Sequence, residues 1–463
     1  MSRTPGGART FANWDEDSVT MGVEAARQAL TRLTGGSSGA HESSVMLQSL
    51  QLASTTFPFA DRSNAGLIRE ALNLNNDLSP ADLGGSRRAA VSGLLSLLNR
   101  DSGQHLLCAS DCVDAKPGSD SEYSTGHAAA SAVIGDGKPL ALLRASGSLH
   151  EDFVDQYRMT GQTFDYPLEP RWVRDAGTMQ QLGQLIPHVL DQAQLTAGDI
   201  QWLLLPTDVP TGRALAGKCG LGDARTAEAL QKSLGMSGAA YPLVMLAWAL
   251  EQAQPGDNIL LAGAGQGFDL LLFEVQPSVK DHQGKVPAHT TVEAQLDAGQ
   301  PEENYTRYLG LRRLLDLDTG IRGERDNRTA QSAFYRRHED ITGFNGGRCS
   351  ACDKLQFPMS RYCVHCHADD TQIPEPMAGL QGEVNSYTED WLALTPRPPL
   401  MFGNIHFPGS ANVMMEFSDF LPGELAAGMR VKMSFRIKEL DTRRHFRRYF
   451  WKPVPLAQGD RDG

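Results

Sequence analysis

Short apolar runs alternate with amphipathic stretches over residues 1–277, the pattern of an α/β domain. The first amphipathic stretch predicts a helix over residues 17–33, with Val19, Val23, Ala26 and Leu30 on one face. The polar residues 15–18 before it supply candidate N-caps. Apolar runs predict strands at 44–52, 105–109, 130–134, 140–145, 202–205 and 258–262, and LLLFEVQP closes the domain near Pro277. Helical spacing predicts helices around 65–71, 87–98, 179–193, 225–234 and 242–254.

Beyond Pro277 the pattern changes. Residues 278–300 are polar and without period, which predicts a linker. A helical lead-in follows over 301–345, where Tyr308, Leu311 and Leu315 form a stripe. A cysteine-rich segment occupies 346–370. From 371 to 457 short β-like runs recur between Gly and Pro residues, which predicts an all-β barrel of five strands of the OB type, with 458–463 as a tail.

Composition adds limits. With 463 residues, 41% hydrophobic and 21% charged, the chain calls for two or three domains rather than one core. No apolar run reaches the roughly 18 residues that a membrane span needs, and the N-terminus lacks the apolar stretch of a secretory signal. The expectation is a cytoplasmic protein without a membrane partner. A net charge of −12 argues against a general nucleic-acid binder.

Of seven cysteines, four form the pattern C-x2-C-x10-C-x2-C: Cys349, Cys352, Cys363 and Cys366. Each CxxC knuckle turns two thiolates toward one metal, and two knuckles complete a tetrahedron. Four protein ligands leave no open position, so the expected zinc ion is structural. His365 and His367 are alternative ligands that a full thiolate set makes unnecessary, and four free thiols or a redox pair remain the reading without metal. For Cys108, Cys112 and Cys219 the ordinary expectation is buried, inert thiols; a Cys112–His127 pair would lack an orienting group.

The stretch RRHFRRYFWK interleaves cations with aromatic residues. Such a pattern on an OB barrel suits single-stranded nucleic acid. The alternative turns Phe446 and Phe450 into the core and most of the arginines to solvent.

These segments carry a resemblance. GRCSACDKLQFP, the second CxxC, SYTEDWLALTPRPPLMFG and RYFWKPVP, with NYTRYLGLRRLL and AFYRRHEDITGFNGGRC before them, resemble the zinc-ribbon/OB proteins that accompany thiolases, over about residues 300–455. NWDEDSVTMGVEAARQAL, CASDCVDAKPGSDSEYSTGHAAASAVIG and GMSGAAYPLVMLAWALEQAQPGDNILLAGAGQG are similar to 3-hydroxy-3-methylglutaryl-CoA synthase-like proteins, over about residues 10–277. The resemblance implies a duplicated α/β thiolase-like domain in αβαβα layers, then a rubredoxin-like zinc ribbon and the OB barrel. It also implies that Arg87 stands at the place of the synthase nucleophile, a cysteine, with Ser86 beside it. Thr55 takes the place of the general-base glutamate, Pro206 that of the histidine, and Met236, in GMSG, that of an asparagine. The family's glycine-bearing opening strand has no counterpart: either the true start lies upstream or the first half-sheet lacks a strand, and loss of a central strand would expose backbone groups.

With no catalytic residue assigned, the resemblance implies a degenerate domain. The chain is then expected to be a non-catalytic subunit of a thiolase-type acyl-CoA complex, supporting Claisen or retro-Claisen chemistry on a separate thiolase-fold subunit. That complex would be a hetero-oligomer with two copies of each chain. Arg443, Arg444, Arg447, Arg448 and Lys452 are candidates for the phosphates of the CoA thioester; a solvated strand face is the other reading of them. Two further functions stay open: an active acyltransferase or HMG-CoA synthase-like condensing enzyme with a relocated nucleophile, and an OB-fold single-strand binder.

Overall fold

The computed structural model describes residues 7–34, 45–318, 330–441 and 444–456. Helix α1 (Ser18–Leu33) starts at a capping box: Asp17 accepts from the Val19 and Thr20 N–H groups, and Thr20 Oγ1 accepts from the Asp17 N–H. Then follow β1 (Leu47–Ala53), α2 (Asn64–Ala71), β2 (Ser79–Leu83), α3 (Ala89–Leu98), β3 (Gln104–Asp111) and β4 (Ala128–Gly135). β1 runs parallel to β2 and β3, and β4 antiparallel to β3, in the order β2-β1-β3-β4. β3 is buried along nearly its whole length, and its centre, Leu106 to Ala109, is apolar on both faces.

The second half opens with β5 (Ala141–His150) and a short hairpin, β6 (Gln156–Tyr157) and β7 (Tyr166–Pro167). A turn, α4 (Pro170–Trp172), leads through a π-helical segment (Val173–Leu182) into α5 (Gly183–Ala193). β8 (Trp202–Leu204), α6 (Val209–Lys218), β9 (Arg225–Thr226), α7 (Glu228–Ser233), α8 (Tyr241–Leu250), β10 (Asn258–Ala264) and β11 (Gly267–Val275) complete it. The sheet order is β5-β11-β10-β8-β9. Read from β9, its first four strands repeat β2-β1-β3-β4 with the same parallel and antiparallel pairings. The duplication is therefore visible within the chain.

Three cores stack the layers. α3 and α8 are apolar on nearly every face because both lie between the two sheets, in one cluster with Leu107, Ile259 and Leu271. α1 and α2 cover the outer face of the first sheet, and α5 and α6 that of the second. The second sheet's β5 has no equivalent beside β4 among the described residues. Of the two alternatives for the opening strand, the described residues leave the first sheet one strand short, at its edge beyond β4 and not at its centre.

Residues 278–300, expected as a linker, hold α9 (Ser278–Gln283) and α10 (Val292–Asp297). Distant groups fix them: Trp248 Nε1 donates to Glu293 at 3.0 Å and Arg32 to the Thr290 carbonyl at 2.8 Å. A polar sequence held by such remote bonds has no periodic signal of its own. α11 (Tyr305–Leu311), α12 (Gln331–Tyr335) and α13 (His338–Ile341) lead to the ribbon sheet, β12 (Asn345–Cys349), β13 (Leu355–Gln356) and β14 (Gln372–Pro376), with β12 in the middle.

The last module is β15 (Gly382–Asp390), β16 (Leu400–His406), β17 (Asn412–Glu416), β18 (Arg430–Asp441) and β19 (Phe446–Pro455), antiparallel throughout in the order β17-β16-β15-β18-β19. Five strands match the expectation, but among the described residues no ladder joins β17 to β19. The sheet stays open, so the closed OB barrel is corrected to a five-stranded open sheet. Its apolar face shares one core with α1 and α2, where Val19, Leu50, Ile68, Phe435 and Trp451 all belong.

Candidate functional site

The zinc knuckles are built by two equivalent turns. The Asp353 N–H returns to the Cys349 carbonyl at 2.8 Å, and the His367 N–H to that of Cys363 at 2.9 Å. Asp353 and His367 both adopt left-handed backbone (φ 58° and 62°), which closes each turn. The four sulfurs lie within 4.8 Å of one another, and the pairs Cys349–Cys366 and Cys352–Cys363 are 3.7 Å apart. A tetrahedron of Zn–S bonds of about 2.3 Å has edges of roughly 3.8 Å, so the set fits a zinc ion. Thr371 Oγ1, 3.1 Å from Cys349 Sγ, is placed to donate to that thiolate. Neither His365 nor His367 joins the set.

Four of the five basic residues expected near CoA phosphates have other partners. Lys452 is buried at 1% exposure; its Nζ is 3.0 Å from Asp15 and 4.4 Å from the centre of the Trp14 ring. Arg447 donates to Asp17 at 2.8 Å, Arg444 to Asp441 at 2.6 Å, and Arg448 to Glu439. Arg443 lies outside the described residues. Lys452 and Arg447 thus clamp residues 15–17 to β19, joined by Arg436, which bonds Glu16 at 2.7 Å and Asp419 at 2.6 Å. Counter-ions are required there, since a buried unpaired carboxylate is strongly unfavourable. Phe450 packs on Phe344 at 5.6 Å and Phe446 on Phe59 at 5.7 Å.

A second polar cluster gathers at the seam between the α/β halves, where α3 begins. Ser86 Oγ donates to the Gly265 carbonyl at 3.1 Å and accepts from the Arg88 N–H at 3.2 Å. Arg87 Nη2 is 2.5 Å from Asp165 Oδ2, and Arg158 Nη1 is 2.7 Å from Asp165 Oδ1. Arg158 also donates to the Thr55 carbonyl. Arg88 reaches His150 Nδ1 at 2.8 Å and stands 3.5 Å from Asp269. The structure therefore brings Arg87 and Thr55, which the resemblance placed at two synthase positions, into one network.

Behind them lies Asp111, wholly buried, which sequence reasoning missed. It accepts from Ser54 Oγ, the Thr55 N–H and Oγ1, Thr56 Oγ1 and the Ala239 N–H, all at 2.7–2.9 Å. Gly238 permits this approach: at φ +55° a Cβ would stand 2.2 Å from Asp111 Oδ2. The GMSG turn thus meets the loop after β1 through a carboxylate. Met236 is held by backbone bonds to Ser124 and Gly126, and Pro206 follows β8 without joining the network. A signal for Asp111 did exist, a carboxylate ending an apolar strand.

The other thiols are buried or half-buried. Burial pushes Cys108 up to about 12, and raises Cys112 and Cys219. His127 cannot serve Cys112. Its Nδ1 accepts from the Ala12 N–H at 2.9 Å, its Nε2 lies 3.1 Å from the Val113 carbonyl, and burial lowers its pKa to about 3.

Residues 345–372 match the family model described as the ChsH2 rubredoxin-like zinc ribbon domain. The hydroxymethylglutaryl-CoA synthase of Aeropyrum pernix is 27% identical over 322 residues, covering 66% of this chain and 80% of that protein. The synthase of Methanothermobacter thermautotrophicus is 28% identical, covering 59% and 79%. Among solved structures, an HMG-CoA synthase complexed with CoA superposes with a TM-score of 0.54 at 12% identity, over 69% of this chain and 84% of its own. The 3-oxoacyl-(acyl carrier protein) synthase III of Pseudomonas aeruginosa gives 0.51 at 21% identity, over 58% and 86%.

The N-terminal part has the thiolase-like fold, and a zinc ribbon follows it. The expectation of a non-catalytic subunit is corrected by the same relatives. Proteins named as synthases match most of the chain, not a fragment, which favours the condensing-enzyme alternative. No helix among the described residues is long and apolar enough to cross a membrane.

Proposed function

We propose that the chain is a synthase-like condensing enzyme that acts on a CoA thioester. The acyl end binds where α3 begins, and a carbon–carbon bond beside the thioester carbonyl is made or broken there. The observation that carries this reading is the extent of the match to hydroxymethylglutaryl-CoA synthases, which takes in 66% of this chain and 80% of the Aeropyrum pernix protein. The chemistry uses groups other than a cysteine at Arg87. Negative charge grows on the thioester oxygen as its carbon is attacked; the α3 N-terminus and the Arg88 guanidinium group favour it. Two hydroxyls are candidates for a relocated nucleophile. Thr55 Oγ1 has a carboxylate 2.9 Å away to receive its proton, whereas Ser86 Oγ bonds the Gly265 carbonyl and the Arg88 N–H.

The test is to incubate the zinc-loaded full chain with acetyl-CoA and acetoacetyl-CoA, then to follow free CoA release and the intact protein mass. Release of CoA, with an acyl adduct lost in Thr55→Val, is the expected result. Absence of thioester binding, adduct and CoA release together would overturn the reading.

A further inference from the structure

Three arginines and three carboxylates meet around the start of α3: Arg87, Arg88 and Arg158 with Asp155, Asp165 and Asp269. Asp269 belongs to the scaffold, and Asp155 stands at the base of the hairpin and ties it to the body of the domain. Asp269, in β11, is 2% exposed and accepts from the Ser148 hydroxyl at 2.6 Å and from that of Ser92. Asp155 accepts from the Gln156 N–H at 2.8 Å and from Gln266 at 3.3 Å. Asp165 is placed differently. It sits just before β7, in a hairpin whose paired strands are two residues long, and it gives one oxygen to each of two guanidinium groups.

The hairpin makes a poor structural element for its own sake. Tyr157, Met159 and Tyr166 are 48%, 70% and 62% exposed, and two residue pairs make up its ladder. Its ties to the body of the domain are polar: Asp165 to Arg87, Arg158 to the Thr55 carbonyl, and Gln266 to Asp155. Both Arg158 and Asp165 keep 18% of their side-chain surface exposed, and Arg87 keeps 26%. Water and a small anion can therefore reach the pair.

We propose that Arg87 and Arg158 form a carboxylate site that Asp165 fills as an internal occupant, and that residues 155–167 are a lid latched by it. When the latch opens, the free carboxylate of a CoA-bound acyl group takes the place of Asp165. This inference rests on the reading of the chain as a CoA-thioester enzyme. The exchange replaces one carboxylate by another, so the balance of three cations and three anions is kept and no guanidinium is left unpaired. Two planar guanidinium forks, each holding one oxygen, match a carboxylate in geometry as well as charge. The α3 N-terminus adds favourable potential at the same place.

Calorimetry on the zinc-loaded full chain tests this with four probes: succinyl-CoA, butyryl-CoA, free succinate and CoA. Succinyl-CoA should bind about tenfold more tightly than butyryl-CoA, as one charge-assisted contact predicts. Asp165→Asn removes the internal competitor and should widen that ratio by about a further tenfold while butyryl-CoA is unaffected. Arg87→Gln should abolish the preference, and a merely structural role would not change the ratio of the two thioesters. Should Arg87→Gln fail to fold, the Asp165→Asn ratio decides alone. Equal binding of both thioesters by the native chain and by Asp165→Asn overturns the carboxylate site and leaves the CoA reading standing. Failure of both thioesters to bind overturns the two together. Free succinate binding as tightly as succinyl-CoA would overturn the assignment to an acyl group.

Discussion

The zinc ribbon and the seam at α3 each gather charged or chargeable groups, and they do so in opposite ways. In the ribbon all four ligands fall within residues 349–366, and two local turns aim them inward. At the seam Thr55, Arg87, Asp111, His150, Asp165 and Gly265 come together from across more than two hundred residues. The ribbon's coordination shell is closed, whereas the Arg87–Asp165–Arg158 group is part-exposed and bound only to itself and its neighbours' backbone. A closed shell can stabilise and nothing else. An open one can exchange a partner, which is what recognition requires.

Loss of the metal site carries the largest expected cost. Cys363→Ser, or a strong chelator, should cost the ribbon on the order of 10 kcal/mol of local folding free energy. The ribbon sheet would then be lost while the α/β domain keeps its secondary structure, as zinc content and amide exchange over residues 345–376 would report. Ordered ribbon amides without zinc would refute the closed-shell role.

Next in size is the buried part of the seam. Asp111→Ala leaves five donors without their acceptor, and should lower unfolding free energy by about 4 kcal/mol. Urea unfolding measures it. A loss under about 1 kcal/mol would mean that Asp111 is not a scaffold residue but part of the exchangeable set.

The same contrast explains what was legible. The four cysteines needed only their spacing, because every contact that forms the site is local. Helix α1, its Asp17 cap and most strands were legible because 3.6- and 2-residue periods are local as well. β2 was missed: SPADL is exposed along nearly its whole length and has no apolar run, and it is a strand only through its pairing with β1. α6 was missed for want of a strong stripe, since it buries little beyond Thr211, Leu215 and Ala216. Lys452 read as a surface cation because nothing near it in sequence announces Asp15, which lies 437 positions away. That the last sheet stays open was equally invisible, because strand count follows from local patterns and closure depends on how the outer strands end.

A pH titration reads a buried group away from both sites. His127 has a folded pKa near 3 against an ordinary 6.5, mainly through burial. Between these values the unfolded chain binds a proton that the folded chain does not, so stability is full above pH 6.5 and falls as pH drops. At pH 5 the loss should be about 2 kcal/mol, and His127→Gln should flatten that part of the profile. An unchanged profile in the variant would assign the acid sensitivity elsewhere.

The smallest effect is the most informative about the lid. Asp165→Asn removes one charge from a part-exposed ion pair, and solvent screening holds the cost to about 1 kcal/mol or less. The loss in urea should therefore be a quarter or less of that for Asp111→Ala, where five donors meet a buried carboxylate and not two a part-exposed one. Trypsin cleavage at Arg158 should nonetheless quicken, because the latch and not the fold has been weakened. If Asp165→Asn instead destabilises the chain as much as Asp111→Ala, the hairpin is a fixed part of the core and its carboxylate is not an exchangeable occupant. A small stability loss together with faster cleavage would place residues 155–167 among the elements that open under native conditions, which a ligand carboxylate needs in order to reach Arg87.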